Sequence, residues 1–233
     1  PMYKSLGIMG ADSMIVKHRY SRTFTLNATA TVADSHLFRM DNIYRPDVTG
    51  GGAVPASYFD EMTTDYSKYT VLGAVAKCYV RQPVPDVAQG ATPISGMWGY
   101  VFNTLKDTSS TVTSIPDVLM TRDVKYFGPL TTHSVLSRRP KAALYYSAKK
   151  MHPGINVRRQ VRGTDPDAAT TTEVWQGPAQ EATNTDFSRW QARFGIASER
   201  GSAQGDPGQV DFLVVIEYTV LWFERQLTGN ENA

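Results

Sequence analysis

The sequence predicts an all-β fold, an antiparallel β-sandwich or jelly roll with long loops and one or two short helices. Three observations predict it. Residues Ser13 to Ala28 alternate apolar and polar side chains for sixteen positions, the two-residue period of a half-buried strand. Val210 to Phe223 (VDFLVVIEYTVLWF) is a run of β-branched and aromatic residues, too short to span a bilayer as a helix. Between these ends, strand-like runs alternate with loops rich in Pro and Gly, without βαβ alternation or an internal repeat.

In Ser13 to Ala28, Met14, Val16, His18, Tyr20, Phe24, Leu26 and Ala28 point one way, interrupted by His18 and Arg22. Ile15, Lys17, Arg19, Ser21, Thr23, Thr25 and Asn27 point the other, where Ile15 is the one apolar interruption. This is one strand, or two broken near Ser21-Arg22. Asp34 to Asn42 follows, with Leu37, Phe38 and Met40 as core candidates. Pro46 to Pro55 is a loop: Gly50, Gly51 and Gly52 tolerate any φ/ψ, and the prolines supply no ladder donor. A short helix comes next, because Pro55 suits a first turn and Tyr58, Phe59 and Met62 share a face.

Tyr69 to Arg81 reads as a long strand whose one breaker is Gly73. Gln82 to Ser95 is a proline-punctuated loop, Met97 to Thr104 an aromatic strand, and Pro116 to Met120 a helical turn capped by Ser114. Val124 to Leu136 is extended, with a bulge or break at Gly128-Pro129. Ala142 to Ala148 reads as strand, with helix the alternative. Residues 155–186 form a long surface loop, since segments of this length without regular structure are usually functional. Phe187 to Ile196 is strand-like. Val210 to Phe223 is expected to be central and buried on both faces, with Ser13 to Ala28 as a central neighbour and Glu217 paired or at an edge. Residues 224–233 are a tail and 1–12 the remnant of an arm. The 233 residues suffice for a single domain over 1–233 with its own core. The chain opens Pro-Met-Tyr, which leaves room for residues upstream.

Composition excludes more than it assigns. The single cysteine, Cys78, rules out an internal disulfide, and its apolar neighbours make it a small buried hydrophobe rather than a nucleophile. No apolar run reaches the ~18 residues of a membrane span. His18, His36, His133 and His152 share no metal-ligand spacing. His18, on a strand face, reads as a bonded core or interface histidine. No nucleophile elbow, Walker loop or dinucleotide fingerprint is present. Asp165 with Asp167, and Asp206 with Asp211, are read as turn acids rather than cation ligands. Hence the sequence reads as a non-enzyme without metal or cofactor. A net charge of +2 does not select a partner.

Basic residues are the more useful lead. Lys17 and Arg19 share a strand face. Arg138, Arg139, Lys141, Lys149 and Lys150 fall in one window, and Arg158, Arg159 and Arg162 in another. Each set is either a solvated face or a set of phosphate contacts of the kind that sequence-independent binding of single-stranded DNA needs, helped by aromatic stacking.

The stretch Asn42 to Arg81 carries a resemblance. An aromatic helix, then Asp65-Tyr66-Ser67-Lys68-Tyr69-Thr70-Val71, then a strand, resembles the capsid proteins of circular, Rep-encoding single-stranded DNA viruses, of which circoviruses are best known. That family places Tyr-x-x-Tyr-x-Val before the third element of its fold; here it is Tyr66, Tyr69 and Val71. The resemblance implies an eight-stranded viral jelly roll. It implies a T=1 icosahedral shell of about sixty copies built by repeating one set of interfaces. It also implies a circular single-stranded DNA genome inside, a receptor- or glycan-binding exterior, no membrane insertion, and a place in the virion after assembly in the host nucleus. Family members usually begin with an arginine-rich, DNA-binding arm. Here the first twenty-two residues hold Lys4, Lys17, Arg19 and Arg22, which become the nucleic-acid candidates. A monomeric or trimeric lectin-like binding module is the alternative.

Overall fold

A computed structural model of the chain describes residues 13–28, 34–49, 54–84, 97–105, 123–130, 140–151, 162–163, 190–198 and 208–225. The strands are β1 (Ser13–Ala28), β2 (Asp34–Arg39), β3 (Tyr66–Val84), β4 (Met97–Leu105), β5 (Lys125–Leu130), β6 (Ala142–Ser147), the two-residue β7 (Arg162–Gly163), β8 (Trp190–Ser198) and β9 (Gly208–Arg225). Helix α1 (Phe59–Asp65) precedes β3, and a single turn, α2 (Ala148–Met151), follows β6.

One sheet runs β1-β9-β3-β6, with β7 also against β3; the other runs β2-β8-β4-β5. Every pairing is antiparallel. The chain crosses between the sheets after β1, β2, β3, β5, β7 and β8, and the first and last strands are neighbours. With the two-residue β7 set aside, this is the eight-stranded viral jelly roll. Its core lies between the sheets. From one side come Val16, Tyr20, Ala76, Cys78, Phe212, Val214, Ile216 and Tyr218; from the other, Phe38, Val101, Ala192, Phe194 and Ile196. The Tyr218 hydroxyl donates to the Arg39 carbonyl at 2.6 Å, a polar tie from β9 to β2 across an apolar interior.

The segment that carries the family resemblance builds one end of this core. Tyr69 and Val71 face Trp222 and Val220 of β9, and Tyr66 is buried beside them. Phe59 of α1 meets Tyr69 edge-on at 5.8 Å between centroids, and both approach Trp222, at 5.8 and 5.2 Å. Burying rings of this size contributes about 1.5–3 kcal/mol each, enough to hold a seven-residue helix that is too short to stand alone.

Several expectations are corrected in detail. β1 is one unbroken strand, and it lies at the sheet edge rather than in the centre. β9 takes β1 on one side and β3 on the other, so the centre is β9–β3. β9 is not buried on both faces. Its inner face is closed, whereas on its outer face Val215 is buried, Asp211, Leu213, Thr219, Leu221 and Phe223 are half-buried and Glu217 is exposed. Lateral cover from strands about 4.8 Å away accounts for this partial shielding. β9 also continues to Arg225, two residues into the expected tail.

The helix starts at Phe59, later than expected, because Tyr58 sits at φ 62°, ψ 16°. Upstream, Ala56 N–H and Ser57 N–H are already committed to the carbonyls of Ile43 and Arg19, each at 2.8 Å. β3 extends beyond Arg81 to Val84, with an irregularity between Val80 and Pro83 that admits the proline. Gly73 marks a bulge rather than a break: the register with β9 slips between Val71 and Gly73. A second slip, between Met97 and Gly99, faces Gly128, whose φ of 151° favours glycine. Ala148 opens α2 instead of closing β6. The expected turn at 116–120 and the remainder of the 155–186 loop beyond β7 lie outside the described residues.

Candidate nucleic-acid interface

The outer face of the β1-β9-β3-β6 sheet carries two of the described basic candidates, Lys17 and Arg19. Read across the register, Lys17, Thr219, Gly73 and Ser147 form one row; Arg19, Glu217, Val75 and Tyr145 the next; Ser21, Val215, Lys77 and Ala143 the third. Lys17 and Arg19 are exposed. Lys77, which sequence reasoning passed over, donates to Glu217 at 2.9 Å, and this hydrogen bond raises its pKa. Glu217 therefore sits between Arg19 and Lys77. The three cations exceed the one acid, so this part of the face is cationic, a geometry that suits an anionic polymer laid over a sheet. Alternation along β3 held the signal that would have found Lys77: Val75, Lys77 and Tyr79 share the outer face, opposite buried Ala76 and Cys78.

The other candidates separate. Lys149 and Lys150 stand exposed on α2, just past Ser147. Lys141, in the same sequence window, is anchored at the opposite end of β6, where its N–H donates to the Cys78 carbonyl at 2.7 Å. A six-residue strand spans about 20 Å, so this window is not one spatial cluster. The backbone of Arg162 is set opposite Tyr69 in β7. Lys4, Arg138, Arg139, Arg158 and Arg159 lie outside the described residues.

Arg22 belongs elsewhere. It leaves β1 on the face opposite Lys17 and Arg19, and its Nε meets Asp47 Oδ2 at 2.8 Å. The Asp47 side chain is 1% exposed and accepts from His36 Nε2 at 2.8 Å through its other oxygen. His36 is stacked on Phe24, with ring centroids 4.3 Å apart. Arg22–Asp47–His36 is a charged brace between β1 and the segment after β2. Its guanidinium is engaged with this carboxylate.

His18 is the second buried histidine. Its Nδ1 lies 2.6 Å from the Ser57 carbonyl, and Trp222 Nε1 lies 2.9 Å from its Nε2. A carbonyl only accepts and an indole N–H only donates, so the ring carries its proton on Nδ1 and is neutral. Burial lowers the His18 pKa, against the Ser57 carbonyl and the charge of Glu61, which raise it. The ring thus ties β1, β9 and the approach to α1 together. Burial also raises the Cys78 thiol pKa, which removes its nucleophilic form. Among the described residues, no group of three or more His, Cys, Asp or Glu is placed to hold a metal ion. Among them also, no helix is long and apolar enough to cross a membrane.

The sequence matches no protein-family model and no curated protein. Solved structures similar to it include a tobacco necrosis virus structure (14% identity, 94% of this chain and 85% of that chain covered, TM-score 0.46). They also include the BFDV capsid protein as a decamer (11% identity, 90% and 99% covered, TM-score 0.42). The same protein as a 60-mer is similar too (10% identity, 91% and 94% covered, TM-score 0.44). BFDV is a circovirus; at these identities the likeness is one of fold.

Proposed function

We propose that this chain is a circovirus-like capsid protein, the repeated subunit of a small closed shell. The observation that carries the reading is the strand order, β1-β9-β3-β6 against β2-β8-β4-β5, entered through the α1–β3 segment whose residues resemble that capsid family. The shell is a T=1 icosahedron of about sixty copies, since closed symmetry reuses a single set of contacts. It encloses circular single-stranded DNA. The cationic outer face of the β1-β9-β3-β6 sheet, with Lys17, Arg19 and Lys77, meets the phosphates. The opposite surface of the shell carries host attachment, and assembly takes place in the host nucleus.

Light scattering of the purified chain tests the reading: it predicts large, uniform particles. A monomer at micromolar concentration and physiological salt contradicts it, and glycan binding by that monomer favours a lectin-like module. The DNA assignment has its own test. Lys17→Ala combined with Arg19→Ala lowers the 260/280 absorbance ratio of the particles without unfolding the chain, because both side chains are exposed. An unchanged ratio removes these two residues from the nucleic-acid site.

A further inference from the structure

We infer that opposite edges of the sandwich are complementary halves of one head-to-tail contact between copies of this chain: the β1 edge with the start of α1 on one copy, and the β5–β6 edge with α2 on the next. The inference rests on the self-assembly proposed above and specifies its interface.

Among the described residues, six large apolar side chains stand exposed: Met14, Ile15, Val54, Tyr58, Tyr126 and Tyr145. They are not scattered. Met14 and Ile15 open β1, and the segment carrying Val54 and Tyr58 crosses the β1 edge, where Ser57 N–H donates to the Arg19 carbonyl. Tyr126 and Tyr145 lie on β5 and β6, the strands that end the two sheets at the other side. Lys125 joins these two strands, donating to the Ala143 carbonyl at 2.7 Å and lying 5.5 Å from the Tyr145 ring centroid.

Charge divides the same way. Asp60 and Glu61 are exposed in the first turn of α1, beside the β1 edge. Lys125, Lys141, Lys149 and Lys150 are exposed along the opposite edge, with Asp123 the exposed acid near them among the described residues. Lys17 and Arg19 are exposed on β1 itself, on the face it shares with Ile15, so the acidic character belongs to the start of α1. The acidic start of α1 beside the apolar residues of the β1 edge, and the basic, aromatic edge opposite, cannot satisfy each other within one molecule. They fit when a second copy is placed beside the first. Such a contact is heterologous, and it closes into a ring when the rotation per copy divides a full turn.

Two features mark the β1 edge as built for contact. Tyr58 holds a left-handed backbone at φ 62°, costly for a bulky aromatic, while the residue is 54% exposed. Arg19 turns its N–H and C=O outward to Ser57. By the two-residue period of an antiparallel pair, Ile15 and Lys17 turn theirs outward as well, which adds backbone groups to the same surface.

The test uses the full chain as a 1:1 mixture of isotopically heavy and light copies, treated with a zero-length carbodiimide cross-linker and analysed by mass spectrometry. The expected product is a heavy–light isopeptide joining Asp60 or Glu61 to Lys149, Lys150, Lys125 or Lys141. In parallel, Asp60→Lys/Glu61→Lys and Lys149→Glu/Lys150→Glu each raise the assembly concentration about tenfold or more, and the fourfold variant with both swaps recovers most of the loss. Tyr58→Gly relieves the backbone, so the subunit folds at least as well, yet it assembles about tenfold less readily. Shells without this cross-link, from variants that assemble normally, overturn the interface and leave the capsid reading standing. Small head-to-tail oligomers with the cross-link but no shells support the interface and overturn the capsid reading. Neither shells nor cross-link overturns both.

Discussion

Arg22→Met removes the ion-pair partner of the Asp47 carboxylate. In the native chain that side chain is 1% exposed, pairs with the Arg22 guanidinium and is hydrogen-bonded to His36, both at 2.8 Å. Removing the guanidinium leaves a buried anion with the imidazole as the remaining partner of the brace. Breaking one side of a buried pair costs about 3–5 kcal/mol. Arg22 is itself 32% exposed, so its charge is partly screened and the lower end applies, about 3 kcal/mol. Met fills much of the volume of the Arg stem, so packing loss is a minor part. Equilibrium urea unfolding, followed by tryptophan fluorescence below the assembly concentration, reads the difference directly. Arg22→Met with Asp47→Leu recovers most of the loss, because an apolar pair replaces an ion pair at little cost. A loss under about 1 kcal/mol for the single variant, or a double variant worse than the sum of the singles, would refute the brace.

Three further outcomes follow from the same structure. Burial holds the His18 pKa below its ordinary value of 6.5. Its contribution to stability is therefore complete above that value and is lost as pH falls through the folded pKa. Unfolding free energy measured from pH 7.5 downward falls less steeply for His18→Gln than for the native chain; parallel curves contradict this. Gly195→Ala places a methyl group into the Tyr100 ring, which lies over Gly195 and is itself buried. Displacing it costs about 1–3 kcal/mol, seen as a lower melting temperature, and an unchanged melting temperature would show that the ring moves freely. Cys78, fully buried with its thiol pKa pushed up by burial, resists a thiol-reactive dye in the folded chain and reacts on unfolding. Rapid labelling of folded protein contradicts its placement.

The parts of this fold that were legible in the sequence are those whose cause is local. The two-residue alternation of β1 placed Val16, His18, Tyr20 and Leu26 inside and Lys17 and Arg19 outside, as found. The apolar run of β9 marked it as the strand between two partners. What was not legible depends on pairing across long separations. Glu217 meets Lys77 across 140 positions of chain, and Arg22 meets Asp47 only because two sheets pack. Neither pair leaves a pattern in either strand alone. The start of α1 was misplaced because cross-strand bonds at Ala56 and Ser57 override the helix preference of Pro55. For the basic candidates, sequence proximity misled: Lys141 and Lys149 share a window but sit at opposite ends of β6.

Negative-stain electron microscopy of the purified chain tests the central claim most directly. The account predicts uniform closed shells of one diameter. Discrete particles the size of one to three subunits, at concentrations well above micromolar, would contradict it and leave a jelly roll without a shell.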